Sequence, residues 1–425
     1  MKSVLLGILL FVIGVPASAQ VQDQVFSDKI QTIQLFTRGN QLGFPVIRLG
    51  SSDQLELHFD DLDANVRNYS YTYQLCNADW TPANLSHFDY IKGFSQSRIT
   101  NYRVSSIAFT RYTHYQATLP DRNCMPSRSG NYILKVFADG DTSKLLFTKR
   151  MLVVEEKSSV SAQVQQPYNG LIFRTHQKIQ FWVNLNEQLN IPNPLQQIKV
   201  AILQNERWDN AVTNLRPTFV SRTALEYNTE NDAVFPAGKE WRWLDLRSLR
   251  FQSDRIEDAI YTNDSTIVFL KPDIPRTDQR FNFYRDANGR YSISTTENIN
   301  PLWQSDYARV HFRFVPPGKI VVPGKDVYVF GQLTGYRLDP ESRMQYDPES
   351  GMYTTTLQLK QGYYDYCYVT VESKDSKKQV SMADTEGNLW ETENDYMILV
   401  YYRPLGGRAD ELISITRINS LAGRK

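Results

Sequence analysis

The hydrophobic and polar positions of this chain recur mostly with a period of two. Leu55, Leu57 and Phe59 alternate with Glu56, His58 and Asp60, which predicts a strand with one apolar and one wet face. Residues 69–75 predict an aromatic strand, and residues 112–119 alternate again. Residues 132–138 and 145–154 flank Asp139-Gly140, the strongest hairpin signal in the first region. Strands are also predicted at 179–185, 198–203, 266–270, 304–315, 327–330, 357–359 and 363–371. Residues 281–294 predict a hairpin with Asn288-Gly289 in a type I′ turn, and a second hairpin is predicted around Ser350-Gly351. Helical periodicity is scarce, so the expected class is all-β, with tandem immunoglobulin-like or early-set β-sandwich domains.

Two stretches punctuate the pattern. Residues 155–161 are charged and serine-rich, and Pro316-Pro317-Gly318 reads as a linker or turn. They divide the chain into expected domains at 20–157, 158–315 and 316–425. Composition agrees with the strand reading: 25 Tyr, 21 Phe and 7 Trp favour half-buried pleated surfaces.

The amino terminus reads as a signal peptide. Lys2 precedes an apolar run at 4–15, and Ala17-Ser18-Ala19 is a small-x-small cleavage site. A run of about a dozen residues is shorter than the roughly 20 that cross a bilayer core. Cleavage is expected after Ala19, and no cysteine follows to take a lipid anchor. The formal charge of +1 falls to about zero once Lys2 is removed. That balance gives no electrostatic reason to expect nucleic acid or anionic membrane as a partner. Few segments have the uninterrupted apolar face of about ten residues that a lipid-facing barrel strand needs. An exported, soluble protein is expected.

Chemistry-bearing motifs are sparse. The five histidines, at 58, 87, 114, 176 and 311, form no H-E-x-x-H, and the chain has no G-x-S-x-G elbow or phosphate loop. His58, Asp60, Asp61 and Asp63 read as a solvated acidic turn. Asp61-x-Asp63-x-Asn65 opens like a calcium loop, but Val66 and Thr72 stand where glycine and glutamate are needed. Cys76 and Cys124 are close enough in sequence to share a domain; they either pair or, like Cys367, remain buried thiols. No catalytic residue, metal, cofactor or obligate small molecule is expected. Trp241, Trp243, Asp245 and Arg247 share one face of an extended segment, with Arg250 and Arg255 following. Trp241, Trp243, Arg247 and Arg250 are therefore candidate contacts for a protein partner. The competing reading places the tryptophans in a core with arginines at its rim.

A set of short blocks then stands out. They are Cys76-Asn-Ala-Asp79-Trp80, Tyr90-Ile-Lys-Gly93-Phe94, Tyr112-Thr-His114-Tyr115, Ser129-Gly130-Asn131-Tyr132 and Gln204-Asn-Glu-Arg207-Trp208-Asp209-Asn210. Asp245-Leu-Arg247-Ser-Leu-Arg250, Gly362-Tyr-Tyr-Asp-Tyr and Glu391-Thr-Glu393-Asn-Asp395-Tyr396 follow. Through these blocks the chain resembles the plug proteins of the type IX secretion system of Bacteroidetes. The resemblance implies a periplasmic protein whose partner is a giant outer-membrane translocon barrel of the SprA/Sov type. It also implies that the protein seals the periplasmic mouth of that pore when idle, and it brings no catalytic residues. A second resemblance is local. Residues 327–371 are similar to early-set, glycogen-binding-like sandwiches, with Tyr336 where the family stacks a tryptophan on sugar. The alternative it implies is a carbohydrate-binding protein with Tyr336, Tyr364 and Trp390 as the stacking platform.

Overall fold

A computed structural model describes residues 23–422 apart from 187, 188, 190 and 377. The expected signal peptide and its cleavage site lie outside the described residues. The described residues are almost entirely strand and loop, with one four-residue α-helix, Pro194–Gln197, and three short 3₁₀ turns. Among them no helix is long and apolar enough to cross a membrane.

The first sandwich pairs two sheets. One has the order Ile30–Thr37, Leu55–Asp61, Thr113–Leu119, Asn101–Val104. The other has the order Val46–Arg48, Leu145–Val154, Gly130–Ala138, Tyr69–Cys76, Ser97–Ile99. Leu55, Leu57, Phe59, Tyr73, Leu134 and Phe147 fill the space between them. The Asp139-Gly140 hairpin forms as the sequence predicts, with residues 130–137 antiparallel to 145–153. All three cysteines are buried free thiols, so Cys76 and Cys124 do not pair.

The second sandwich is built from distant pieces. Ser158–Gln165, His176–Leu185 and Ala224–Tyr227 form one sheet. The facing sheet joins Ile198–Gln204 to Asp395–Tyr402 and Glu411–Asn419. Val200, Ile202, Ile398 and Val400 turn one face of this sheet toward Phe181 and Val183. Ala201, Leu203, Met397 and Leu399 turn the other face toward Cys76, Ile133, Leu152 and Val154 of the first sandwich. Four sheets therefore stack with three apolar layers between them. The strand Asp395–Tyr402 is buried on both faces, which explains its unbroken apolar run.

The third sandwich is an insertion in the second. Arg242–Asp245, Gly362–Glu372, Tyr291–Ile293 and Lys325–Phe330 form one layer. Ile256–Tyr261, Thr266–Leu270, Tyr307–Phe314, Met352–Lys360 and Gln345–Asp347 form the other. Val310, Phe312, Val329, Tyr366 and Tyr368 lie between them. The boundary expected at 315/316 is thus crossed by both layers. The pairings of 242–245 with 363–366 and of 198–204 with 396–402 override the Pro-Pro-Gly punctuation.

One predicted hairpin also changes. Asn288 and Gly289 do have the positive φ values of a type I′ turn, 54° and 82°. No strand precedes them, because Tyr291–Ile293 pairs with the Gly362–Glu372 strand instead. The Ser350-Gly351 hairpin forms between Gln345–Asp347 and Met352–Lys360.

Candidate functional site

Buried polar groups from distant parts of the chain gather where the sandwiches meet. At the joint between the first and third, two cross-strand pairs face each other. Asp60 lies opposite His114, and Tyr307 lies opposite Lys360. Lys360 Nζ donates to Asp60 Oδ2 at 2.5 Å, and the Tyr307 hydroxyl donates to the same oxygen at 2.6 Å. His114 Nδ1 donates to Asp60 Oδ1 at 2.7 Å, and His58 Nδ1 stands 3.1 Å from His114 Nε2. Lys360 also lies 4.0 Å above the Tyr112 ring and donates to the Leu302 carbonyl at 2.6 Å. Nearby, the Asp306 carboxylate accepts the backbone N–H groups of Phe109 and Thr110.

These positions correct the wet-face expectation. Asp60 is fully buried and His58 nearly so, because the third sandwich covers that side of the strand, whereas Asp61 is buried on the other side against the Tyr69 hydroxyl of the first sandwich. Burial pushes the Asp60 carboxyl up, but Lys360 and His114 outweigh it and hold it below the ordinary range. Burial, with His114 adding to it, lowers His58 to about 3. His58 therefore stays neutral here and borders a polar cleft of about 420 Å³ with Glu56, Tyr71 and Arg98.

The joint between the first and second sandwiches uses aromatic and amide groups. Trp80 and Trp208 meet edge to face at 4.8 Å, and the Arg150 guanidinium sits 5.1 and 5.3 Å from their rings. The Tyr401 hydroxyl donates to Asn131 Oδ1 at 2.8 Å, and Arg403 donates to Asn77 Oδ1 at 2.7 Å. The first and third sandwiches are stitched again by Gln41, whose amide both accepts from and donates to the backbone of Ile293. Arg290 donates to the Leu42 carbonyl at 2.7 Å and pairs with Glu206 at 3.3 Å, tying all three sandwiches together.

The contact residues expected from sequence divide. The alternation holds: Arg242, Leu244, Leu246 and Ser248 point inward, and Trp243, Asp245 and Arg247 point outward. Trp241 is the exception, at 3% exposure. It packs on Gly289, Phe330 and Tyr336, with Arg207 6.0 Å from its ring, so it supports the joint and does not face a partner. Trp243 stacks on Tyr363 at 6.3 Å, Arg247 lies over Tyr363 at 5.6 Å, and Arg250 is exposed. Sequence reading missed Phe88 and Phe94, which are 78% and 69% exposed on the first sandwich. The block Tyr90-Ile-Lys-Gly93-Phe94 was the available signal.

The sugar platform is not assembled. Tyr364 is buried between the two layers of the third sandwich, stacked on Tyr291 with its hydroxyl on the Lys360 carbonyl. Tyr336 belongs to the cluster on the opposite face, its hydroxyl donating to the Gly289 carbonyl. Trp390 lies on the returning crossover, its backbone N–H donating to the Arg174 carbonyl.

Taken together, these features define an all-β body of three sandwiches held in register by buried polar joints. Buried ion pairs add little net stability, because desolvation offsets attraction, but a misdocked arrangement strands their charges. A sequence model of the first domain of the type 9 secretion system plug protein matches residues 30–155. The crystal structure of a hypothetical protein from Parabacteroides merdae ATCC 43184 is 32% identical and superposes with a TM-score of 0.89. That match covers 94% of this chain and 99% of the other. No curated protein matches. The chain belongs to the type 9 secretion system plug protein family.

Proposed function

We propose that this protein works in the periplasm as a steric plug. It binds the periplasmic mouth of the type IX outer-membrane translocon and closes the pore while no substrate is passing. It acts by occlusion, without catalysing a reaction, and it reaches the periplasm by a signal peptide cleaved after Ala19.

The observation that carries this reading is the locked arrangement of the plug-family domain. Its inner sheet is one layer of the four-sheet stack, and its outer sheet is pinned to the third sandwich through Asp60 and Lys360. A body that blocks a wide pore must resist bending, and continuous apolar layers with charge-registered joints supply that resistance. Partner contact falls to exposed and half-buried aromatic and arginine side chains: Trp243, Arg247 and Arg250 on the third sandwich, Phe88 and Phe94 on the first. Purifying the tagged barrel from the native organism tests the reading. This chain is expected with the idle barrel and depleted from barrels loaded with substrate. Equal recovery from both states contradicts a plug.

A further inference from the structure

The chain crosses between the second and third sandwiches twice, outward at residues 237–241 and back at 389–394. The two crossings are bonded to each other. Thr392 Oγ1 donates to the Gly238 carbonyl at 2.8 Å, and Asn394 Nδ2 donates to the Ala237 carbonyl at 2.8 Å. At this point Glu240 from the outward segment, Glu393 from the returning segment and Asp286 from the adjacent turn each bring a carboxylate oxygen within 4.8 Å of the others. We propose that these three side chains bind a hard divalent cation of the calcium class, which clamps both crossings to the third sandwich.

The donor set consists of oxygens, which calcium prefers and which soft metals do not. The nearby cationic side chain is already committed. Arg276 places Nε on Glu386, Nη1 on the Tyr284 hydroxyl and Nη2 on the backbone carbonyl of Glu240. The buried amide of Asn288, 4% exposed, is a separate observation. Its Nδ2 donates to Glu393 Oε2 at 2.9 Å, which sets the amide against the cluster. Its Oδ1 is buried without any partner. Asp365, fully buried, accepts the N–H groups of Ala287 and Gly289 on one oxygen, and its other oxygen is also unpartnered. A polar oxygen is rarely left buried and unsatisfied, so Asn288 Oδ1 on the turn and Asp365 Oδ1 on the strand Gly362–Glu372 are acceptors without a donor.

Terbium provides a direct probe, because the Trp241 backbone N–H donates to Asp286 Oδ2 at 2.5 Å and its indole packs on Gly289 of the same turn. The mature chain is stripped with chelator and titrated with terbium at a pH just above neutral. Indole-sensitised emission is expected, and excess calcium should displace it. Calcium should also raise the melting temperature of the wild type. Glu240→Gln and Glu393→Gln should each weaken terbium binding about tenfold or more. Trp241→Phe should lose the emission yet keep the calcium-dependent melting shift. Absence of sensitised emission in the wild type overturns the proposal. So does emission that is undiminished in both glutamine variants. If acidification raises the melting temperature and calcium adds nothing at any pH, the cluster is a proton-holding one and the proposal fails.

Discussion

Asp60 and Lys360 lie 300 residues apart in sequence and meet at 2.5 Å, each with a side chain only 1% exposed. Their contact joins the outer sheet of the first sandwich to the strand Met352–Lys360 of the third. Removing one partner leaves the other buried without compensation. Lys360→Met is therefore expected to cost about 3–5 kcal/mol in urea unfolding, and the paired change Asp60→Leu with Lys360→Met markedly less. Equal losses in the single and double variants would show that the pair does not set the joint.

His58 gives the stability of this joint a pH dependence. In the folded chain it remains neutral down to about 3, whereas the unfolded side chain takes a proton near 6.5. Between those values the unfolded state binds the extra proton, so stability falls as pH drops below 6.5. The cost is about 1.4 kcal/mol per pH unit, discounted for the slight exposure of the ring. Thermal melts from pH 7 to 4 should show a shallower slope in His58→Gln than in the wild type. Identical slopes would assign the acid sensitivity to other groups.

Gly289 is held by space as well as by backbone. Its φ is +82°, and a Cβ there would come within 2.7 Å of the Trp241 ring. Gly289→Ala should destabilise by roughly 1–3 kcal/mol and shift the near-ultraviolet circular dichroism of the tryptophans. Gly39, also at positive φ but with open space around it, should lose less on the same substitution. A larger loss at Gly39 would refute the packing argument.

Much of the strand pattern was legible in the sequence, because alternation reports directly on a pleated surface packed on one side. Leu55, Leu57 and Phe59 fill the core as their spacing implies. The polar partners on the same strand misled for a physical reason. Asp60 looks solvated in sequence, yet it is buried against a sandwich 300 residues away, and no local signal reports such a cover. The insertion of the third sandwich was hidden for the same reason, since pairing of 198–204 with 396–402 leaves no mark on either segment alone. The unbroken apolar run at 397–402 was the one clue, as a strand covered on both faces has no polar alternation. Trp241 and Trp243 were read as equivalent; the close approach of Gly289 to Trp241 separates them.

Surface variants separate binding from folding. Trp243→Ala with Arg247→Glu, and Phe88→Ser with Phe94→Ser, change side chains that are exposed or half-exposed. Each pair should leave the melting temperature within about 2 °C of wild type, as surface changes usually cost little. At least one pair should reduce recovery with the tagged barrel severalfold. Full recovery in both would place the contact elsewhere on the surface.

The central claim is that this protein closes a pore, and outer-membrane permeability measures that most directly. Uptake of a large antibiotic or dye that the intact membrane excludes is compared in cells lacking this protein, cells lacking the barrel, and cells lacking both. The account predicts high uptake only when the plug is missing and the barrel is present, with uptake restored to the wild-type level by the intact chain. Unchanged uptake in the plug deletion, or equal uptake whether or not the barrel is present, would contradict it.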